Sequence, residues 1–175
     1  MKKYLLIILI VFTAVLVSGC ITDSSDDNGI KTVTKNGVVL KYPSEWVVSQ
    51  ATSNISLVSV SSSSSIDSDK IGNVNVNVEK KPLTAPLNVF INQTSTAMSK
   101  DSSFTLISSG EVLVGDKEGI EIVYQSEVNG TLKKHKAVWL EHNNNAVVIL
   151  CSAPASEFDA NLKVFDFIIE NIVLL

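Results

Sequence analysis

The chain has 175 residues, 45% of them hydrophobic and 18% charged, and a formal net charge of −4. That balance excludes a disordered polymer and fits one domain with a core of ordinary size. The 14 basic residues include no arginine, the fork that nucleic-acid phosphates favour, and with the negative net charge this argues against nucleic-acid binding.

In chain order, Met1-Lys2-Lys3 is followed by an apolar run over 4–17 and then by Ser18-Gly19-Cys20. A positive start, an apolar stretch and a small-residue cleavage site read as an export signal over residues 1–19. The run of about 14 residues falls short of the roughly 20 that span a bilayer. Val17-Ser18-Gly19-Cys20 resembles the lipobox of prokaryotic lipoproteins, bacterial or archaeal. That resemblance implies that Cys20 is acylated, becomes the first mature residue and anchors the chain to the cell membrane on its extracytoplasmic face. The alternative is an uncleaved signal anchor that keeps residues 4–21 in the bilayer. Cleavage would leave 12 lysines against 18 acids, a net charge of −6. One acyl chain anchors marginally, so stable tethering takes two.

Residues 20–29 then read as anchor and acidic spacer. Asp23, Asp26, Asp27 and Asn28 suggest a calcium loop, but Ser24 stands at the first ligand position and Lys35 where a bidentate glutamate belongs. No metal site is expected there.

The domain is expected over 30–175. Strands at 30–35 and 38–42 flank Asn36-Gly37, a two-residue hairpin signal. A strand at 55–60 leads into the serine run 61–65, read as a mobile loop. Asn73-Val74-Asn75-Val76-Asn77-Val78 alternates strictly, which predicts a strand with a valine face and a wet asparagine face. After Pro86 the period changes: Leu87, Phe90, Ile91 and Met98 mark an amphipathic helix to about Lys100. Strands at 104–114, 120–128, 131–141 and 146–151 follow, joined by tight turns that require an antiparallel meander. The wholly apolar 146–151 is expected at the sheet's centre. A last helix should start near Pro154, with Phe158, Leu162, Phe165, Ile169 and Ile172 as its core stripe. Segregated strands and helices make an α+β domain, an antiparallel sheet covered by two helices.

The hairpin running into Tyr42-Pro43-Ser44-Glu45-Trp46 and the closing helix after an alanine-proline step resemble the PsbP/Mog1-like fold. Members of that family serve as extrinsic subunits of membrane complexes, as in photosystem II, or as small binding and adaptor proteins. The resemblance implies a non-enzymatic role and carries no site residue onto this chain.

Candidate sites are sparse. His135 sits among three lysines and His142 opens an asparagine turn; alternation puts them on opposite faces, and both read as surface histidines. Glu121 and Glu127 share a strand face about 20 Å apart, too far for paired-carboxylate chemistry. Glu118 and Asp116 read as solvated. No glycine-flanked nucleophile or glycine-rich phosphate loop is present. With Cys20 acylated, Cys151 is alone and reads as a buried small hydrophobe. Tyr42, Trp46, Tyr124 and Trp139 read as core or as the lining of a ligand groove. Asn54, Asn92 and Asn129 head glycosylation sequons. The expectation is a lipid-anchored extracytoplasmic protein without cofactor, binding a protein partner or complex at the membrane. A small-ligand-binding lipoprotein with an aromatic pocket is the alternative.

Overall fold

The computed structural model describes residues 22–25 and 29–175; Cys20 and the export segment lie outside the described residues. Strand β1 (Thr22–Ser25) pairs antiparallel with β2 (Ile30–Lys35). Four residues of the expected spacer are therefore sheet, because β2's outer edge offers them backbone partners. β2 turns through Asn36 (φ 50°) and Gly37 (φ 79°) into β3 (Val38–Pro43). Positive φ at both central residues is the geometry that asparagine-glycine hairpins supply at low strain. The last strand, β11 (Val173–Leu174), closes this four-stranded sheet on β3.

The larger sheet contains β4 (Trp46–Val48), β5 (Ser56–Ser62), β6 (Asn75–Pro82), β7 (Thr105–Val114), β8 (Lys117–Val128), β9 (Thr131–His142) and β10 (Asn145–Pro154). Its order is β4-β5-β6-β10-β9-β8-β7, every pairing antiparallel, with apolar β10 in the middle as expected. β7 to β10 form the meander. The turn after β7 is tighter than the five residues expected, since Gly115 at φ 61° lets β8 begin at Lys117.

Helix α2 (Phe158–Glu170) and the small sheet together cover one face of the large sheet. Val76, Val78, Val138, Leu140, Val147 and Ile149 meet Val33, Leu40, Tyr42, Phe158, Phe165 and Ile168 there, all essentially solvent-free. Helix α1 (Leu87–Met98) covers part of the opposite face over Ile122, Tyr124, Trp139 and Val148. The α+β reading holds; the added feature is a second sheet.

Three local expectations change. Pro154 ends β10 rather than opening the helix, and α2 starts at Phe158, with Asp159 complementing its N-terminal dipole. The serine run is not a free loop: Ser61 is fully buried, and Ser65 Oγ donates to Ser62 O and accepts from Val74 N. The asparagine face of β6 is partly dry, since Asn77 is buried and donates to Glu79 Oε1 at 2.8 Å.

Candidate functional site

Alternation on β6, β8, β9 and β10 decides which side chains reach the α1 side. The registers Ile122↔Ala137, Tyr124↔His135, Trp139↔Val148 and Leu150↔Ala137 put these residues on one face. α1 lies over part of that face, and beneath it is a cavity of about 110 Å³. Its floor is Ile122, Tyr124, Ala137, Trp139, Val148 and Leu150, its roof Ile91, Thr94, Ser95 and Met98, and Glu79 and Lys81 stand on its β6 side. Phe90 meets the Trp139 ring edge-on at 6.0 Å, and Lys81 Nζ lies 5.8 Å from the same ring's centroid, in cation–π range.

α1 is held less firmly than α2. It buries Ile91 alone, whereas α2 buries Phe158, Phe165, Ile168 and Ile169. No side chain caps the α1 N-terminus at Pro86.

Where α1 ends, the same sheet face continues as a polar trough of about 400 Å³, whose walls include Ser59, Asn75, Asn77, Lys133, His135 and Ser152. Cavity and trough share Glu79 and Leu150. His135 is 6% exposed, so it is not the surface histidine that its lysine neighbours suggested. Its Nδ1 lies 2.8 Å from Ser152 Oγ, its Nε2 3.1 Å from Ser126 Oγ, and its ring stacks on Tyr124 at 4.6 Å. Burial and then the Lys133 charge push its pKa down to about 4. A neutral imidazole has one donor and one acceptor, and the two serines satisfy both. With so low a pKa this imidazole is a poor general base near neutrality, and no carboxylate orients it.

Two of the three lysines around it are taken up on other contacts, and Lys133 lines the trough beside it. Lys134 pairs with Asp159 at 2.9 Å, and Lys136 with Asp166 at 2.8 Å and Glu121 at 2.9 Å. Burial works against the Lys136 ammonium, but its bonds to Asp166 and Glu121 outweigh that and raise its pKa. Glu121 is thus an ion-pair partner on the α2 side. His142 bonds Leu175 O at 3.1 Å on the face opposite His135, as alternation predicts.

Of the four aromatic candidates, Tyr42 and Trp46 belong to the α2-side core, where Trp46 meets Phe165 edge-on at 6.2 Å. Tyr124 and Trp139 line the cavity. Cys151 is fully buried and its thiol is pushed far up by burial, which makes it inert. Asn54, Asn92 and Asn129 are exposed. Cys20 and the calcium candidates Asp26, Asp27 and Asn28 lie outside the described residues.

A second surface feature, missed in the sequence, is β7. It is the outer strand of the large sheet, ten residues long and exposed over nearly all of them, with Leu106 at 52% and Leu113 at 65%. Ile107, in the register shift between Leu106 and Ser108, is exposed as well. A search of family models and a search of curated proteins each return no match. Among solved structures, a cyanobacterial PsbP from Synechocystis sp. PCC 6803 aligns at TM-score 0.56 with 13% identity, covering 93% of this chain and 96% of that one. LpqN of Mycobacterium tuberculosis, involved in cell envelope biogenesis, aligns at 0.56 with 13% identity, covering 78% and 82%. A Pseudomonas aeruginosa protein of unknown function aligns at 0.54 with 9% identity, covering 90% and 99%. The fold is PsbP-like.

Proposed function

We propose that this chain is a lipid-anchored extracytoplasmic protein without enzymatic activity, which binds a polypeptide partner at the membrane along β7. The observation that carries the reading is the outer edge of β7, which pairs with no second strand among the described residues. Sheet edges are normally blunted by charged side chains, lysine above all, by proline, a β-bulge, a very short strand or a covering element. Of these β7 has only Glu111 and the irregularity at Ile107 near its start. β4, the opposite edge, is three residues long. The β7 sequence TLISSGEVLV contains neither lysine nor proline, and its register against β8 runs unbroken from Ser108 to Val114. An extended peptide adding to this edge would gain main-chain hydrogen bonds and apolar contact with Leu106 and Leu113.

The family resemblance supports an accessory role, and so does the low pKa of His135, which disfavours acid–base chemistry. The lipobox-like Val17-Ser18-Gly19-Cys20 supports the anchor. β1 begins at Thr22, two residues after Cys20, a reach of at most about 7 Å. The lipid would then hold the domain close to the bilayer.

A photoreactive residue at position 113, with another at exposed Lys163 as control, tests the reading in intact membranes. A discrete adduct from 113 alone, lost in Leu106→Lys, is the expected result. Adducts of equal yield from both positions would refute it.

A further inference from the structure

We propose that the cavity beneath α1 is a binding site for a small amphiphile: an apolar group of a few carbons that bears an oxygen acceptor. This goes beyond the partner reading and stands on different residues. The apolar capacity comes from Ile91, Met98, Ile122, Val148 and the Trp139 ring. An apolar cavity of about 150 Å³ admits benzene, so the 110 Å³ present suits a group of roughly four to six carbons.

The acceptor is argued from Tyr124. It is 9% exposed, it lines the cavity, and its hydroxyl makes no hydrogen bond among the described residues. No buried side-chain oxygen or nitrogen in the described residues lacks a partner, so this hydroxyl keeps some accessible surface, on a residue that lines the cavity. A nearly buried phenol that finds no acceptor in its own protein is left to donate to water or to a bound ligand that displaces it. Burial and the Glu79 charge raise its pKa to about 12, so it stays a donor at any physiological pH. Lys81, at the cavity's β6 side, forms no ion pair among the described residues. It adds a cation for an acidic head. Glu79, already accepting from Asn77, opposes one. A carbonyl and a carboxylate share the acceptor that Tyr124 needs, and the experiment separates them.

The test uses the full chain in lipid nanodiscs with Trp46→Phe, so that emission reports Trp139 alone, and thermal melting of the unsubstituted chain as a second readout. 2-Hexanone and hexanoate should each change Trp139 emission saturably and raise the melting temperature; pentane, lacking an acceptor, should bind more weakly. Tyr124→Phe should weaken both oxygenated probes about fivefold, the worth of one hydrogen bond near 1 kcal/mol. Ala137→Leu fills the cavity and should abolish binding of both. Lys81→Met should weaken hexanoate and spare 2-hexanone if the ammonium contacts an acidic head; equal loss for both probes would overturn its role. Unchanged affinity in Ala137→Leu, or neither an emission change nor a melting shift with any probe, would overturn the site. Adduct formation at β7 does not depend on either result.

Discussion

His135 carries the clearest residue-level consequence. In the unfolded chain its imidazole titrates near the ordinary 6.5, and in the fold near 4. Between those values the unfolded state binds the extra proton, so stability is complete above about pH 6.5 and falls as pH drops toward 4. A shift of that size is worth about 3 kcal/mol. Urea unfolding at pH 7 and pH 4.5 should show a loss of this order in the unsubstituted chain and a much smaller one in His135→Gln. An equal loss in both would mean that His135 is not the proton acceptor. Gly119 is a second sensitive position. A Cβ there would stand 2.7 Å from Trp139 O and 2.6 Å from Leu140 Cδ2, and the carbonyl cannot move without disturbing the β8–β9 ladder. Gly119→Ala should therefore cost about 1–3 kcal/mol in denaturant melts, and a neutral outcome would contradict the close packing described. The burial of His135 was hidden in the sequence because Lys133, Lys134 and Lys136 disguise it. Lys134 and Lys136 turn away to Asp159, Asp166 and Glu121, long-range partners that local charge patterning does not reveal, while Lys133 stays close enough for its charge to act on the imidazole.

At the scale of elements, periodicity carried most of the reading. The Asn36-Gly37 hairpin, the valine face of β6, the α1 stripe and apolar β10 all follow from local pattern, since period and turn chemistry act over a few residues. What was not legible depended on partners distant in sequence. β1 and β11 are short, and they are strands because β2 and β3 offer free edges. The lining of the cavity was half visible: Tyr124 and Trp139 stood out by type, but Tyr42 and Trp46 looked the same and belong to the other core. The helices differ in weight. Phe165→Ala on α2 should destabilise by about 3–5 kcal/mol because the ring is fully buried. On β7, Leu113→Lys should change stability by less than about 0.5 kcal/mol, since the side chain is 65% exposed, yet weaken partner binding. A large stability loss on Leu113→Lys would show β7 to be structural rather than available.

For the whole molecule, the large sheet divides labour between its faces. The α2 side is a dry core that fixes the fold, while the α1 side leaves a cavity and a trough. β7 borders the α1 side and is, among the described residues, the longer of the large sheet's two edges, ten residues against three in β4. The α+β class and the PsbP-like arrangement were legible from element order, whereas the β7 surface was not, because its sequence reads like any half-buried strand. Hydrogen exchange on the chain in its native membranes, set against the purified chain, tests the partner reading most directly. The account predicts slowed exchange over β7, residues 105–114, in the membrane sample and unchanged exchange over α2. Identical exchange of β7 in both samples, or protection confined to α2, would contradict it.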